Sequence, residues 1–139
     1  ILAAGERAKE LCERPAWIRG IEHILEPMDF GVRDITQSRS TQMAAEKAGV
    51  NADKIDVAEV YAPFTHQSIL VERALGLTEG VRVNPSGGAL AANPIMATGL
   101  LRIGEAARRI WDGSADRAVA HATSGPCLQQ NLVTVLEGN

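Results

Sequence analysis

Apolar positions along this chain follow two periods. Runs of strand length stand at Trp17–Leu25, Ile55–Ala62, Arg117–Ala122 and Gln130–Leu136, and a short one at Val81–Val83. Between them lie stretches with helical spacing and helical boundaries. Gly5–Arg14 is rich in helix formers and ends at Pro15. Ser40 is placed to cap a helix running through Ala48, which Gly49 stops. Phe64–Leu75 reads as another helix, stopped by Gly76. The longest helix is expected after Asn93-Pro94, an N-cap residue followed by proline at the first helical position. In it Met96, Leu100, Ile103, Ala107 and Ile110 recur at spacings of four, three, four and three, which defines one apolar face. Arg102, Glu105, Arg109 and Asp112 are expected mostly elsewhere on its surface, and Gly113 ends it.

The remaining stretches are connections. Glu26–Ser38 is polar and irregular, long enough for a functional or interface loop. Asn51-Ala52-Asp53 reads as a turn, and Pro85-Ser86-Gly87-Gly88 as a second. Ser124-Gly125-Pro126 turns the chain between the last two strands, which should be antiparallel neighbours. The opening Ile1-Leu2-Ala3-Ala4 looks like the end of a strand severed from an upstream segment. Strands alternating with helices predict an α/β fold, a layered, parallel or mixed sheet flanked by helices.

Composition narrows the function classes. The chain has 139 residues, 45% of them apolar, which suits one globular domain. A net charge of −3 with both signs interspersed gives no reason to expect nucleic acid. No apolar run approaches the roughly 18–20 residues of a membrane span, and no secretory signal is visible. Cys12 and Cys127 have no metal-ligand spacing and make no disulfide framework. The expectation is a cytoplasmic protein with neither metal nor membrane.

The organising stretch is Asn84–Gly99, a glycine-bearing turn leading toward a helix, whose backbone N–H groups could serve an oxyanion. Other candidates each have a plainer reading. Tyr61 closes a strand, where α/β folds place site residues, or it is a packed strand tyrosine. His66 lies just inside a helix, where a neutral imidazole could polarise a carbonyl, or it is an exposed helical histidine. His121 sits near the Ser124-Gly125-Pro126 turn and is either a site residue or a core histidine; His23 is read as structural. Cys127 follows that turn and could be a nucleophile or acid/base. Asn93 is explained by capping, though its amide could also donate to a ligand. No Ser-His-Asp set can be assembled, and Gly87-Gly88 matches neither GxGxxG nor a P-loop.

Three segments together carry a resemblance: Val60–Phe64, Asn84–Gly99 and His121–Asn131. They resemble, in order, the C-terminal half of the thiolase family, in its lipid-transfer or sterol-carrier-type branch, often labelled acetyl-CoA acetyltransferases. There are departures. Tyr61-Ala62-Pro63-Phe64 stands where most thiolases have Asn-Glu-Ala-Phe and the sterol-carrier branch has His-Asp-Cys-Phe. Ala92-Asn93-Pro94 stands at the Gly-His-Pro motif, so Asn93 replaces the activating histidine. Cys127 falls near the acid/base cysteine of the late Cys-x-Gly motif.

The resemblance implies a thiolase-like C-terminal domain over 16–139, with 1–15 the tail of a truncated N-terminal region. It implies an acyl-CoA acyltransferase working by Claisen or retro-Claisen chemistry in lipid metabolism, with the nucleophilic cysteine in the missing N-terminal half. Tyr61, Asn93, Cys127, His66 and His121 are then the catalytic candidates. Asn84, Gly87, Gly88 and Gly125 are the substrate-binding ones. Coenzyme A enters as part of the substrate, and no separate cofactor is expected. A homodimer is expected, and some lipid-related branches add a small zinc-containing partner. The isolated chain should be inactive. The alternative is a non-catalytic thiolase-like protein that binds acyl-CoA or lipid, or scaffolds a partner.

Overall fold

A computed structural model describes residues 1–51 and 54–138. The elements in order are α1 (Gly5–Leu11), β1 (Trp17–Leu25), α2 (Arg39–Ala48), β2 (Val57–Val60), α3 (Thr65–Leu75), β3 (Arg82–Val83), α4 (Gly88–Ala91), α5 (Thr98–Trp111), β4 (Arg117–Ser124) and β5 (Gln130–Glu137). A single 3-10 turn at Phe30–Val32 interrupts the loop after β1. The five strands form one mixed sheet in the order β1-β5-β4-β2-β3. β2 runs parallel to both β3 and β4, whereas β5 is antiparallel to β4 and to β1. The α/β expectation and the antiparallel final pair are therefore both met.

Strand alternation sorts side chains to two faces. Ala58, Val60, Val119, Val133 and Val135 join the core under α2 and α3. Val57, Ala118, Ala120 and Leu136 join a second core, under α5 with Ala106 and Ile110. The result is three layers, helices over both faces of the sheet. α2 and α3 stop as their glycines dictate, with Gly49 and Gly76 in the left-handed region. Gly113, just past α5, also has positive φ.

Several expected boundaries move. Residues 1–4 form no strand, and Ile1 and Leu2 are exposed. α1 stops at Leu11 rather than Arg14. Ser38, not Ser40, occupies the N-cap position of α2, and Ser40 is buried within the helix. β2 is trimmed to Val57–Val60, although Tyr61 N–H still donates to His121 O. Of the expected Asn51-Ala52-Asp53 turn, Ala52 and Asp53 lie outside the described residues.

The largest correction concerns α5. It starts at Thr98 with Ala97 as its N-cap, so Asn93 caps nothing and Pro94 is not in the helix. The helix keeps the expected apolar face only in its C-terminal half, where Ala107 and Ile110 are buried and Ile103 packs against the same core. Its buried residues are Thr98, Arg102, Ala106, Ala107 and Ile110, whereas Met96 is 98% and Leu100 75% exposed. The cause is close packing on the sheet. A Cβ at Gly99 would stand 2.8 Å from the Ala122 Cβ, so only small residues fit at that contact. Next to that contact Leu100 and Leu101 face outward.

Candidate functional site

β2, β3 and β4 are parallel, so their C-terminal ends lie at one end of the sheet. In such sheets this is the end that carries ligand sites. Tyr61, the 84–88 loop and the 124–129 turn all leave from there. The Asn93 loop joins them through Thr98, at the start of α5, which packs on Ala122 by way of Gly99. The loop after β1 arrives at the same end, and Arg33 in it donates to the carbonyls of Cys127 and Pro126, at 3.2 and 3.1 Å. Most of the candidates therefore converge, although the elements carrying them are far apart in sequence.

The 84–88 loop is a tightly bonded unit. Asn84 sits at φ 47°, its N–H donating to Ala58 O at 2.8 Å and its Oδ1 accepting from Val60 N at 2.7 Å. The loop thus continues the β2–β3 ladder through a side chain. Gly87 N–H donates to Asn84 O at 2.9 Å and Gly88 N–H to Ser86 Oγ at 3.2 Å. Both glycines have positive φ, and a Cβ at Gly88 would lie 2.7 Å from Asn84 Nδ2. These two amides are committed to holding the turn and are not open donors for an oxyanion. Nor does the loop run straight onto the long helix, since the four residues of α4 and the Asn93 loop intervene.

Glu59 and Arg102 hold this loop from below. Neither stood among the sequence-level candidates. Glu59 faces α5 and is wholly buried; Arg102 is nearly so. Glu59 Oε1 accepts from Ser86 N at 3.0 Å, and Oε2 accepts from Ser86 Oγ at 2.6 Å and Arg102 NH1 at 3.0 Å. Ser86 Oγ also accepts from Arg102 NH1 at 3.0 Å. The one visible signal was a charged residue inside an otherwise apolar strand. Arg102 was hidden because the apolar period set it off the expected face of α5.

A second polar cluster lies on the opposite face. Asn131 Nδ2 donates to Ser40 Oγ at 2.7 Å and to Leu128 O at 2.8 Å. Its Oδ1 must then be the acceptor for His121 Nε2 at 2.9 Å, which makes Nε2 the protonated ring nitrogen. Ser40 Oγ donates on to Glu26 Oε2 at 2.7 Å. Ser38 and Thr41 hydroxyls pair at 2.6 Å beside the imidazole. His121 is fully buried, and desolvation pushes its pKa down to about 4, against a smaller upward pull from the Asn131 bond. The ring is neutral at pH 7. Its Nδ1 has no partner among the described residues.

The other candidates are more open. Tyr61 is buried, its N–H donates to His121 O at 3.1 Å, and its hydroxyl has no hydrogen-bond partner among the described residues. Cys127 is exposed with φ 51°, and Cys12 is likewise unpaired. Gly125 turns the chain at φ 71°. Asn93 is exposed. The Thr98 hydroxyl, 2.9 Å from Pro94 O, lies 3.0 Å from Asn93 Oδ1, and the Asn93 amide nitrogen has no partner among the described residues. His66 is exposed and stacks on Phe64 at 5.9 Å. His23 is exposed on β1. No group of three or more metal-ligand side chains is found among the described residues.

This geometry agrees with a family model for the thiolase C-terminal domain, which matches residues 21–134. The chain belongs to the thiolase C-terminal domain family. It is 34% identical over 101 residues to an acetyl-CoA acetyltransferase of Syntrophomonas wolfei, covering 71% of this chain and 25% of that protein. It is 33% identical over 100 residues to an acetyl-CoA acetyltransferase of Pseudomonas aeruginosa, with the same coverage of 71% and 25%. Against the beta-ketothiolase BktB of Cupriavidus necator it is 35% identical over 78 residues, 55% of this chain and 19% of that protein. The chain spans about a quarter or less of the length of these relatives. No helix among the described residues is long and apolar enough to cross a membrane.

Proposed function

We propose that this domain is the acid/base and oxyanion half of a thiolase-type acyltransferase acting on acyl-CoA thioesters, in the lipid-transfer or sterol-carrier branch. The observation that carries the reading is the gathering of Asn93, the Cys127 turn, Tyr61 and the 84–88 loop at one end of the sheet. Claisen chemistry needs a donor where negative charge develops on the thioester oxygen, and a group to take and return the α-proton. The unpaired Asn93 amide nitrogen supplies the first and the exposed Cys127 thiol the second. Tyr61, with an unpartnered hydroxyl, is the reserve proton carrier. The 84–88 loop shapes the wall beside the thioester, its glycines allowing close approach of the backbone. His121, sealed in the core, and His66, stacked on Phe64, take structural parts. The acyl-accepting cysteine is assigned to a polypeptide segment outside this chain, and coenzyme A is the only carrier group required.

The isolated chain is then inactive. The outward residues of α5, Leu100, Leu101 and Trp111, call for a cover. Without one, the chain should self-associate, and light scattering across concentrations would report a dimer. In the full-length protein we expect a cytoplasmic homodimer; some lipid-related branches of the family also work with a small zinc-containing partner.

The test is acyl-CoA turnover by a polypeptide of the relatives' length that contains this domain. Asn93→Asp should abolish turnover while the fold survives; an active Asn93→Asp protein removes the amide from the mechanism. A second reading is favoured by one departure, Asn93 in place of the family histidine. Under it the protein binds acyl-CoA or lipid, or scaffolds a partner, without chemistry. Absence of a nucleophilic cysteine in the accompanying thiolase half would select this reading.

A further inference from the structure

We propose that Glu59 and Arg102 are positioning residues: a buried ion pair that sets the shape of the 84–88 loop and, on the acyl-transfer reading above, the alignment of the thioester against Asn93. Ser86 is the link. Its hydroxyl has one proton to give and two lone pairs to offer, and all three are used, on Glu59, Arg102 and Gly88 N–H. Its backbone N–H is also taken by Glu59. The side chains on either side of Ser86 therefore leave the loop no second arrangement without stranding a buried charge. A core that needed only packing would be served by two apolar residues at positions 59 and 102, since a buried pair gives little stability over well-packed apolar substitutes. What the pair adds is direction: β2 and α5 are locked to the loop, and α5 begins four residues earlier at Thr98, which holds Asn93. The same side chains thus tie together the two loops assigned to thioester binding.

The experiment separates this role from simple support of the fold. Three variants are made in the 139-residue chain and in the longer active polypeptide: Glu59→Gln, Ser86→Ala, and the double variant Glu59→Gln with Arg102→Met, which removes both charges. Amide hydrogen exchange at Ser86, Gly87 and Gly88 is read in the chain; kcat, KM and unfolding midpoint are read in the longer protein. Ser86→Ala removes the acceptor of Gly88 N–H, and Glu59→Gln, alone or with Arg102→Met, replaces the carboxylate that accepts from Ser86 N–H, so the affected amide should exchange at least roughly tenfold faster in each; Gly87 N–H keeps its own bond to Asn84 O and reports whether the loop loosens as a unit. kcat should fall by roughly 100-fold, the scale of a misplacement of about 1 Å, with KM changed much less. The double variant should regain the unfolding midpoint lost in Glu59→Gln without regaining kcat. Recovery of both together would mean that the pair only supports the fold, and would overturn the proposal. Unchanged exchange at the three amides would overturn it as well, as would normal kcat with a loosened loop. If the parent polypeptide turns over no thioester, the acyl-transfer reading is what fails, and the exchange data still decide whether the pair sets the loop.

Discussion

The two faces of the sheet carry two buried polar clusters, each beneath a loop at the same end. On the α5 face Glu59, Arg102 and Ser86 are joined by charge. On the α2 face His121, Asn131 and Ser40 are joined by neutral hydrogen bonds, with a carboxylate, Glu26, only at the rim. Both solve one problem, the anchoring of an irregular loop whose backbone groups need partners. They differ in what failure costs. Removing one partner of a charged pair leaves an ion without solvent or counter-ion. Removing one partner of a neutral pair leaves a dipole. The charged clamp therefore confers more shape and carries more risk, and it sits under the loop where the proposed chemistry needs the tighter geometry.

The sharpest way to break this comparison is Arg102→Met. It should lower stability in urea by about 3–5 kcal/mol, the range for an abandoned buried charge. A loss below about 1 kcal/mol would mean that Glu59 finds solvent or a proton, and the contrast between the clusters would disappear.

His121 gives the neutral cluster a different sensitivity. Its pKa is about 4 in the folded chain against 6.5 for the free side chain. Between those values the unfolded chain binds more protons than the folded one, so stability rises with pH. The contribution is complete above about pH 6.5, is lost as pH falls toward 4, and changes no further below that. From the shift of about 2.5 units it amounts to roughly 3 kcal/mol. Urea titrations of the native chain and His121→Gln at pH 7 and pH 4.5 should show this loss in the native chain only, over and above the acid sensitivity both share. Equal losses in both would place the proton on another group.

A smaller effect is expected at Asn131. Asn131→Ala strands the His121 N–H and frees Ser40 and the Leu128 carbonyl. The cost should be about 1–3 kcal/mol, below that of Arg102→Met. The reverse order, read from the same urea curves, would show that neutral bonds dominate at this end of the sheet.

The elements were largely legible because period, glycine stops and strand-like runs all pointed the same way. β1 has the bounds read from the sequence, and Gly49 and Gly76 stop their helices as expected. The loops of the proposed site were legible as turns and as a family pattern. What held them was not. Glu59 and Arg102 are 43 residues apart, and nothing in local spacing says that they meet. Periodicity also misled over the first turns of α5, where the sheet contact at Gly99 leaves room only for a small residue. Met96 and Leu100 satisfy the period and face outward; Thr98 and Arg102 break it and are buried. His121 shows the same limit, since a strand residue near a turn can serve a site or a core, and only the partners decide.

Asn93 tests the difference between anchoring and function at the smallest scale. The dipeptide Asn93-Pro94 carries every local mark of a helix start, and as a cap its loss would cost roughly 0.5–2 kcal/mol. Here the helix begins at Thr98 and Asn93 is exposed, with its side-chain oxygen on the Thr98 hydroxyl and its nitrogen without a partner among the described residues. Thr98 keeps a second acceptor in Pro94 O when Asn93 is shortened. Asn93→Ala should therefore cost no more than about 0.5 kcal/mol, the range of an ordinary surface change. Thermal or urea unfolding of the isolated chain is enough to check this, since no turnover is involved. A loss above about 1 kcal/mol would return Asn93 to a capping role and leave its amide without a reason to be offered to a thioester.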